Sequence, residues 1–153
     1  MKFFWTLCMV FIALSAGEVH KAMYDLTTAK FRSFEMKLLK GIPANMMQYA
    51  WDDKELKVVV IIHGGAYRYF IKNPQLIAEY KDDVELIKNR DALEARLKVL
   101  HDEYEVEFLV CGSGLDARGI KRDDVYKFVT IIPNASLGLI QKQNEGYAYI
   151  PAH

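Results

Sequence analysis

Cys111 closes an apolar run, VEFLVC at 106–111, and Gly112, Ser113 and Gly114 follow it directly. Glycines let a backbone approach a bound group closely and leave N–H donors open. A helical turn starting just past the cysteine would aim its positive end at the sulfur. That lowers the thiol pKa and favours thiolate, which is the nucleophile. Arg118, seven residues on, adds positive charge if the turn folds back. The chemistry this set supports is exchange at sulfur. A plainer reading fits the same residues, in which Cys111 is a small apolar side chain finishing a buried strand.

Two further runs end in polar residues. KVVVIIH at 57–63 ends in His63, with Gly64 and Gly65 after it, and FVTIIP at 128–133 is followed by Asn134. If the His63 run neighbours the Cys111 run, the imidazole lies near the sulfur and can stabilise it or relay a proton. Otherwise His63 is a solvated residue at a strand end. Tyr67, Tyr69 and Phe70 come soon after and are candidates for a pocket wall, an oligomer contact or core packing.

Other chemistries find little support. No G-x-S-x-G is present, and Gly112-Ser113-Gly114 has the wrong spacing for a nucleophile elbow. His20, His63, His101 and His153 are scattered, so no metal site is expected. G-x-G-x-x-G is absent too, so a dinucleotide fingerprint fails.

The elements that must position these residues alternate. Residues 21–28 read as a first strand, and 30–50 as a helix interrupted at Gly41-Ile42-Pro43. Val58 to Ile62 are five consecutive β-branched residues with no alternation, which suits a strand buried on both faces of a parallel sheet. Asn73-Pro74 is a helix start, and 75–104 is helical in pattern with a break expected near 88–91. Residues 115–126 read as a turn with short helical pieces, 134–144 as a helix with Gly146 past its end, and 147–150 as a last strand. The pattern implies an α/β three-layer sandwich with a mostly parallel sheet of about five strands. Ligands in such sheets gather outside the carboxyl ends of the strands. His63, Cys111 and Asn134 all fall there.

The N-terminus stands apart. MKFFWTLCMVFIALSA at 1–16 has a basic Lys2, an apolar run from Phe3 to Leu14 and small residues after it, the pattern of a secretory signal. The run is shorter than the ~20 residues of a membrane-spanning helix. Cleavage after Ser15 or after Ala16 leaves one domain at 17–153, periplasmic or secreted, with no stable membrane span. The competing readings are an uncleaved membrane anchor and a buried first strand. Cys8 departs with the signal, so Cys111 is left as a single thiol, which in an oxidising compartment must be buried, paired with another molecule or used. The whole chain carries 20 basic and 20 acidic residues, and losing Lys2 leaves one acidic residue in excess. That balance argues against nucleic acid as a partner.

Three segments together resemble the DsrE/DsrF-like family, which includes sulfur-relay subunits. They are VVVIIHGGA at 58–66, FLVCGSGLDARGI at 108–120 with its cysteine–x(5)–A-R-G-hydrophobic spacing, and VTIIPNASLGLIQKQNEGYAYI at 129–150. The resemblance implies a flavodoxin-like sandwich that assembles into homo-oligomers. It also implies that Cys111 matches a persulfide-bearing position and exchanges sulfur with donor and acceptor thiols or proteins, with no metal or organic cofactor needed. Gly112, Ser113, Gly114 and Arg118 would then stabilise the anionic persulfide, with His63, Gly64 and Asn134 as further binding residues. The alternative is a non-catalytic oligomeric module of the same fold that binds a small ligand or partner.

Overall fold

The computed structural model describes residues 17–153. The segment 1–16, read above as an export signal, lies outside the described residues. Five strands form the sheet: β1 (Val19–Leu26), β2 (Glu55–Ile62), β3 (Glu107–Cys111), β4 (Val129–Ile132) and β5 (Ala148–Ala152). Their order is β4-β3-β2-β1-β5, and every neighbouring pair is parallel. The chain is therefore an α/β protein of the layered kind expected from the alternating runs.

The topology decides which face each helix covers. The steps from β1 to β2 and from β2 to β3 move in one direction, while the step from β4 to β5 runs back across the sheet. Right-handed crossovers then put the helices of the first steps on one face and the last helix on the other. The first face carries α1 (Phe31–Phe34), a π-helical segment (Glu35–Lys40), α2 (Gly41–Trp51) and α3 (Val84–Asp102). Phe34 stacks on Tyr69 with ring centroids 4.1 Å apart and meets Phe70 edge-on, and Phe70 in turn meets Phe108 of β3. The second face carries α5 (Ala135–Asn144). Gly138 seats it, because a Cβ there would stand 2.5 Å from Ile132 Cδ1 and 3.2 Å from Ile61 Cδ1. Val58 to Ile62 are buried without exception, as a strand covered on both faces requires.

Three local readings change. The expected interruption at Gly41-Ile42-Pro43 is a widened turn and not a break. Pro43 has no N–H and its ring would press on the carbonyl of Leu39, so the helix opens into the π segment before it. The long helix breaks earlier than 88–91. Pro74–Leu76 forms a 3₁₀ turn, and Asp83 caps a new helix by accepting from the Leu86 N–H at 2.9 Å. Finally, Gly64–Phe70 is a 3₁₀ helix that the pattern did not suggest.

The edge strand β5 is short, mostly exposed and contains Pro151, in register with Asp25 of β1. Among the described residues no helix is long and apolar enough to cross a membrane.

Candidate active site at the carboxyl ends of the strands

Cys111 is the last residue of β3, and α4 (Gly112–Ala117) begins at the next residue. Side-chain alternation aims Cys111 to the α5 face, together with its strand mate Leu109 and its β4 partner Ile132. The start of α5 arrives at the same point. Asn134 caps it, its Oδ1 accepting from the Leu137 N–H at 2.9 Å. The expected role of Asn134 thus resolves into fixing the first turn of α5.

Burial alone would push the Cys111 thiol up. Hydrogen bonds from the Ser113 and Tyr67 hydroxyls and from the Gly114 and Ala135 N–H groups outweigh it, and the thiol sits below its ordinary value. The Ser113 hydroxyl is 3.3 Å from Sγ. The Tyr67 hydroxyl donates to the Cys111 carbonyl oxygen at 3.1 Å, and its single proton can turn to the sulfur when the thiol ionises. The donors come from α4, from α5 and from the 3₁₀ helix after β2. Cys111 itself is only 6% exposed.

Two glycines make this closeness possible. A Cβ on Gly114 would stand 1.8 Å from Tyr67 Oη, and one on Gly112 would stand 2.9 Å from the Ile132 carbonyl oxygen. The Ser113 N–H closes the turn against β4 by donating to the Pro133 carbonyl at 3.1 Å.

Arg118 is engaged beside the sulfur, not at it. Its Nη1 donates to both carboxylate oxygens of Glu79, at 3.1 and 2.9 Å, and its Nη2 donates to the Gly64 carbonyl at 2.9 Å. The guanidinium lies over the Tyr67 ring, 5.3 Å from the centroid. It therefore holds Tyr67 and the His63–Gly64 turn in place. Gly64 has φ +60°, a left-handed conformation that favours glycine, and this turn is what presents its carbonyl to Arg118.

His63 follows β2, and its Nε2–H donates to Asp25 Oδ1 at 2.6 Å. The Tyr149 hydroxyl donates to Asp25 Oδ2, also at 2.6 Å, and accepting that bond lets the carboxylate hold the Tyr149 hydroxyl above its ordinary value. Asp25 and Tyr149 were not singled out from the sequence. The available signal was a carboxylate between Tyr24 and Leu26 in a buried strand, where charge is found only when paired. Among the described residues there is no cluster of three or more His, Cys, Asp or Glu suited to a metal ion.

A parallel α/β sheet with an activated cysteine at its carboxyl end defines a class of thiol-bearing layered domains. The DsrE/DsrF-like family model matches residues 17–152, and the chain belongs to that family. An uncharacterized protein of Aquifex aeolicus (strain VF5) is 27% identical over 154 residues. The alignment covers 99% of this chain and 64% of that protein's length, so the chain spans less than two thirds of that relative. Among solved structures, MTH1491 of Methanobacterium thermoautotrophicum, a protein of unknown function, superposes with TM-score 0.60. The match covers 88% of this chain and 98% of that one at 17% identity, which is a likeness of fold.

Proposed function

We propose that this chain is an exported sulfur carrier that holds a sulfane sulfur on Cys111. The observation that carries the reading is the thiol held below its ordinary value by four donors drawn from three elements. Family membership supports sulfur relay as the general activity. Export is supported by the apolar N-terminal run.

In the proposed cycle the Cys111 thiolate attacks the outer sulfur of a donor persulfide. The donor S–S bond breaks, a Cys111–sulfur bond forms, and the donor leaves as a thiolate that takes up a proton. The donor's inner sulfur is reduced by the amount that the Cys111 sulfur is oxidised. An acceptor thiolate then attacks the outer sulfur and restores the Cys111 thiolate. The Gly114 and Ala135 N–H groups and the Ser113 hydroxyl stabilise the anionic states at sulfur.

Self-association is part of the proposal. Leu137 and Ile140 project from α5 at 52% and 56% exposure, and Tyr149 is exposed on the same face of the edge strand. Such an apolar patch suits an interface between copies.

Intact-mass measurement tests the carrier reading. Treating purified protein with a small-molecule persulfide donor should add one sulfur mass, removed by reductant and absent in Cys111→Ser. Wild-type protein that stays unmodified across donors overturns the reading in favour of the binding module. The same mass spectrum shows whether the mature chain starts at Ala16 or Gly17.

A further inference from the structure

The carrier cycle needs a proton at two moments. The departing donor thiolate must be protonated during loading, and the incoming acceptor thiol must be deprotonated during unloading. None of the four donors around Cys111 is suited to both, because hydroxyls and backbone N–H groups do not exchange charge near neutral pH. An imidazole does.

His63 is placed for this. β2 and β3 pair as Ile61 with Leu109 and Ile62 with Val110, so the next pair along the sheet is His63 with Cys111. The backbone of His63 is still extended, φ −158° and ψ −169°, and its N–H donates to the Leu26 carbonyl at 3.1 Å. The strand alternation therefore carries through it. Ile61 and Leu109 share a face, so His63 and Cys111 share that face as well, on neighbouring strands about 4.8 Å apart.

The imidazole is also oriented. Its Nε2–H is committed to Asp25 Oδ1 at 2.6 Å, which leaves Nδ1 as the exchanging nitrogen. Asp25 is 6% exposed, and its second oxygen is satisfied by Tyr149. A carboxylate on one imidazole nitrogen, with the other nitrogen free on the sheet face that also carries Cys111, is an arrangement by which a base is aimed.

We propose that His63, oriented by Asp25, is the proton-transfer group of the Cys111 site. Resting on the carrier reading, the role is symmetric. In loading, the imidazolium gives its proton to the departing donor thiolate, and neutral His63 remains beside the Cys111 persulfide. In unloading, neutral His63 takes the proton of the acceptor thiol, the acceptor sulfur attacks the outer sulfur, and the pair of Cys111 thiolate and His63 imidazolium is restored. His63 is a catalytic residue in this scheme, and Asp25 is a positioning residue. The charged and titratable groups around the imidazole are Asp25 from β1, Cys111 from β3, Arg118 through the Gly64 carbonyl, Tyr149 through Asp25, and His153, whose Nδ1 bonds the Thr27 hydroxyl at 2.6 Å.

The test measures two rates on purified protein over a range of pH. One is alkylation of Cys111 by iodoacetamide, which needs no persulfide chemistry. The other is transfer of sulfur from loaded Cys111 to a small thiol. His63→Gln should slow transfer about a hundredfold, within the range of general acid–base catalysis. Asp25→Asn should slow it less. In His63→Gln the alkylation profile should show one titration step where the wild type shows two, and in Asp25→Asn the second step should remain but move. Added imidazole should restore transfer in His63→Ala, which a purely structural role would not allow. Transfer rates within twofold of wild type, an unchanged alkylation profile, or no rescue by imidazole would each overturn the proposal. If wild-type protein takes up no sulfur, the carrier reading fails, and the alkylation profiles still decide whether His63 and Cys111 exchange a proton.

Discussion

Gly114→Ala adds one methyl group and should disturb both the fold and the thiol. The new Cβ would lie 1.8 Å from Tyr67 Oη, 2.7 Å from Cζ and 3.2 Å from Cε2. Non-bonded atoms sit comfortably at about 3.5 Å, so the phenol must retreat by well over an ångström. It has little room to do so. Tyr67 is buried and Arg118 lies across its ring. Overpacking of this kind costs about 1–3 kcal/mol, or a Tm lower by roughly 3–12 °C for a domain of this size. The retreat also takes the hydroxyl away from Cys111. Loss of one hydrogen bond to an anionic sulfur is worth about 1.5 kcal/mol, and it raises the thiol pKa. Calorimetry reads the first effect, and the pH dependence of iodoacetamide alkylation reads the second. Tyr67→Phe separates the two, since it should reproduce the thiol shift with less loss of Tm. A Gly114→Ala protein with wild-type Tm and a wild-type thiol titration would show that Tyr67 does not press on this turn, and the account of the site's donors would fall.

Asn134→Ala removes the cap of α5 and should cost about 1 kcal/mol, with the Cys111 thiol rising because the Ala135 N–H loses its fixed direction. Calorimetry with the same alkylation profile checks it, and an unchanged thiol would sever the link between cap and sulfur. The third prediction concerns alkaline pH. Burial pushes Tyr69 and Tyr80 up to about 12 and raises Tyr67 and Tyr126 as well. Their folded values lie above the unfolded one, so their contribution is intact below about pH 10 and is lost as pH rises from there towards 12. Denaturant titrations should show stability falling across that window. A flat profile would mean that the four hydroxyls are already in contact with water.

Sequence reading succeeded where burial is two-sided. Val58 to Ile62 can only be a central strand, and with that strand fixed, the alternation around it yields the layered fold. The Cys111 turn was legible because three small residues after a strand leave the backbone little choice. Other features depended on what lies across the sheet. Asp25 sits one residue before the end of β1 with nothing local to explain it. Its partners are His63, 38 residues away, and Tyr149, 124 residues away. The role of Arg118 was obscured for the same reason, because Glu79 and the Gly64 carbonyl reach it only through folding. The 3₁₀ helix at Gly64–Phe70 carries no periodic signal, since its aromatic residues are all buried and leave no polar face to mark a repeat.

Pro151 bears on how copies of this chain can meet. A sheet edge ordinarily invites another strand to add to it, and that is the first step toward runaway aggregation. β5 offers only five residues there, and one of them has no N–H to give. A ladder growing outward from this edge would be interrupted within a residue or two. The protein can keep Leu137, Ile140 and Tyr149 open for face-on contact with another copy while closing the route to an endless ribbon.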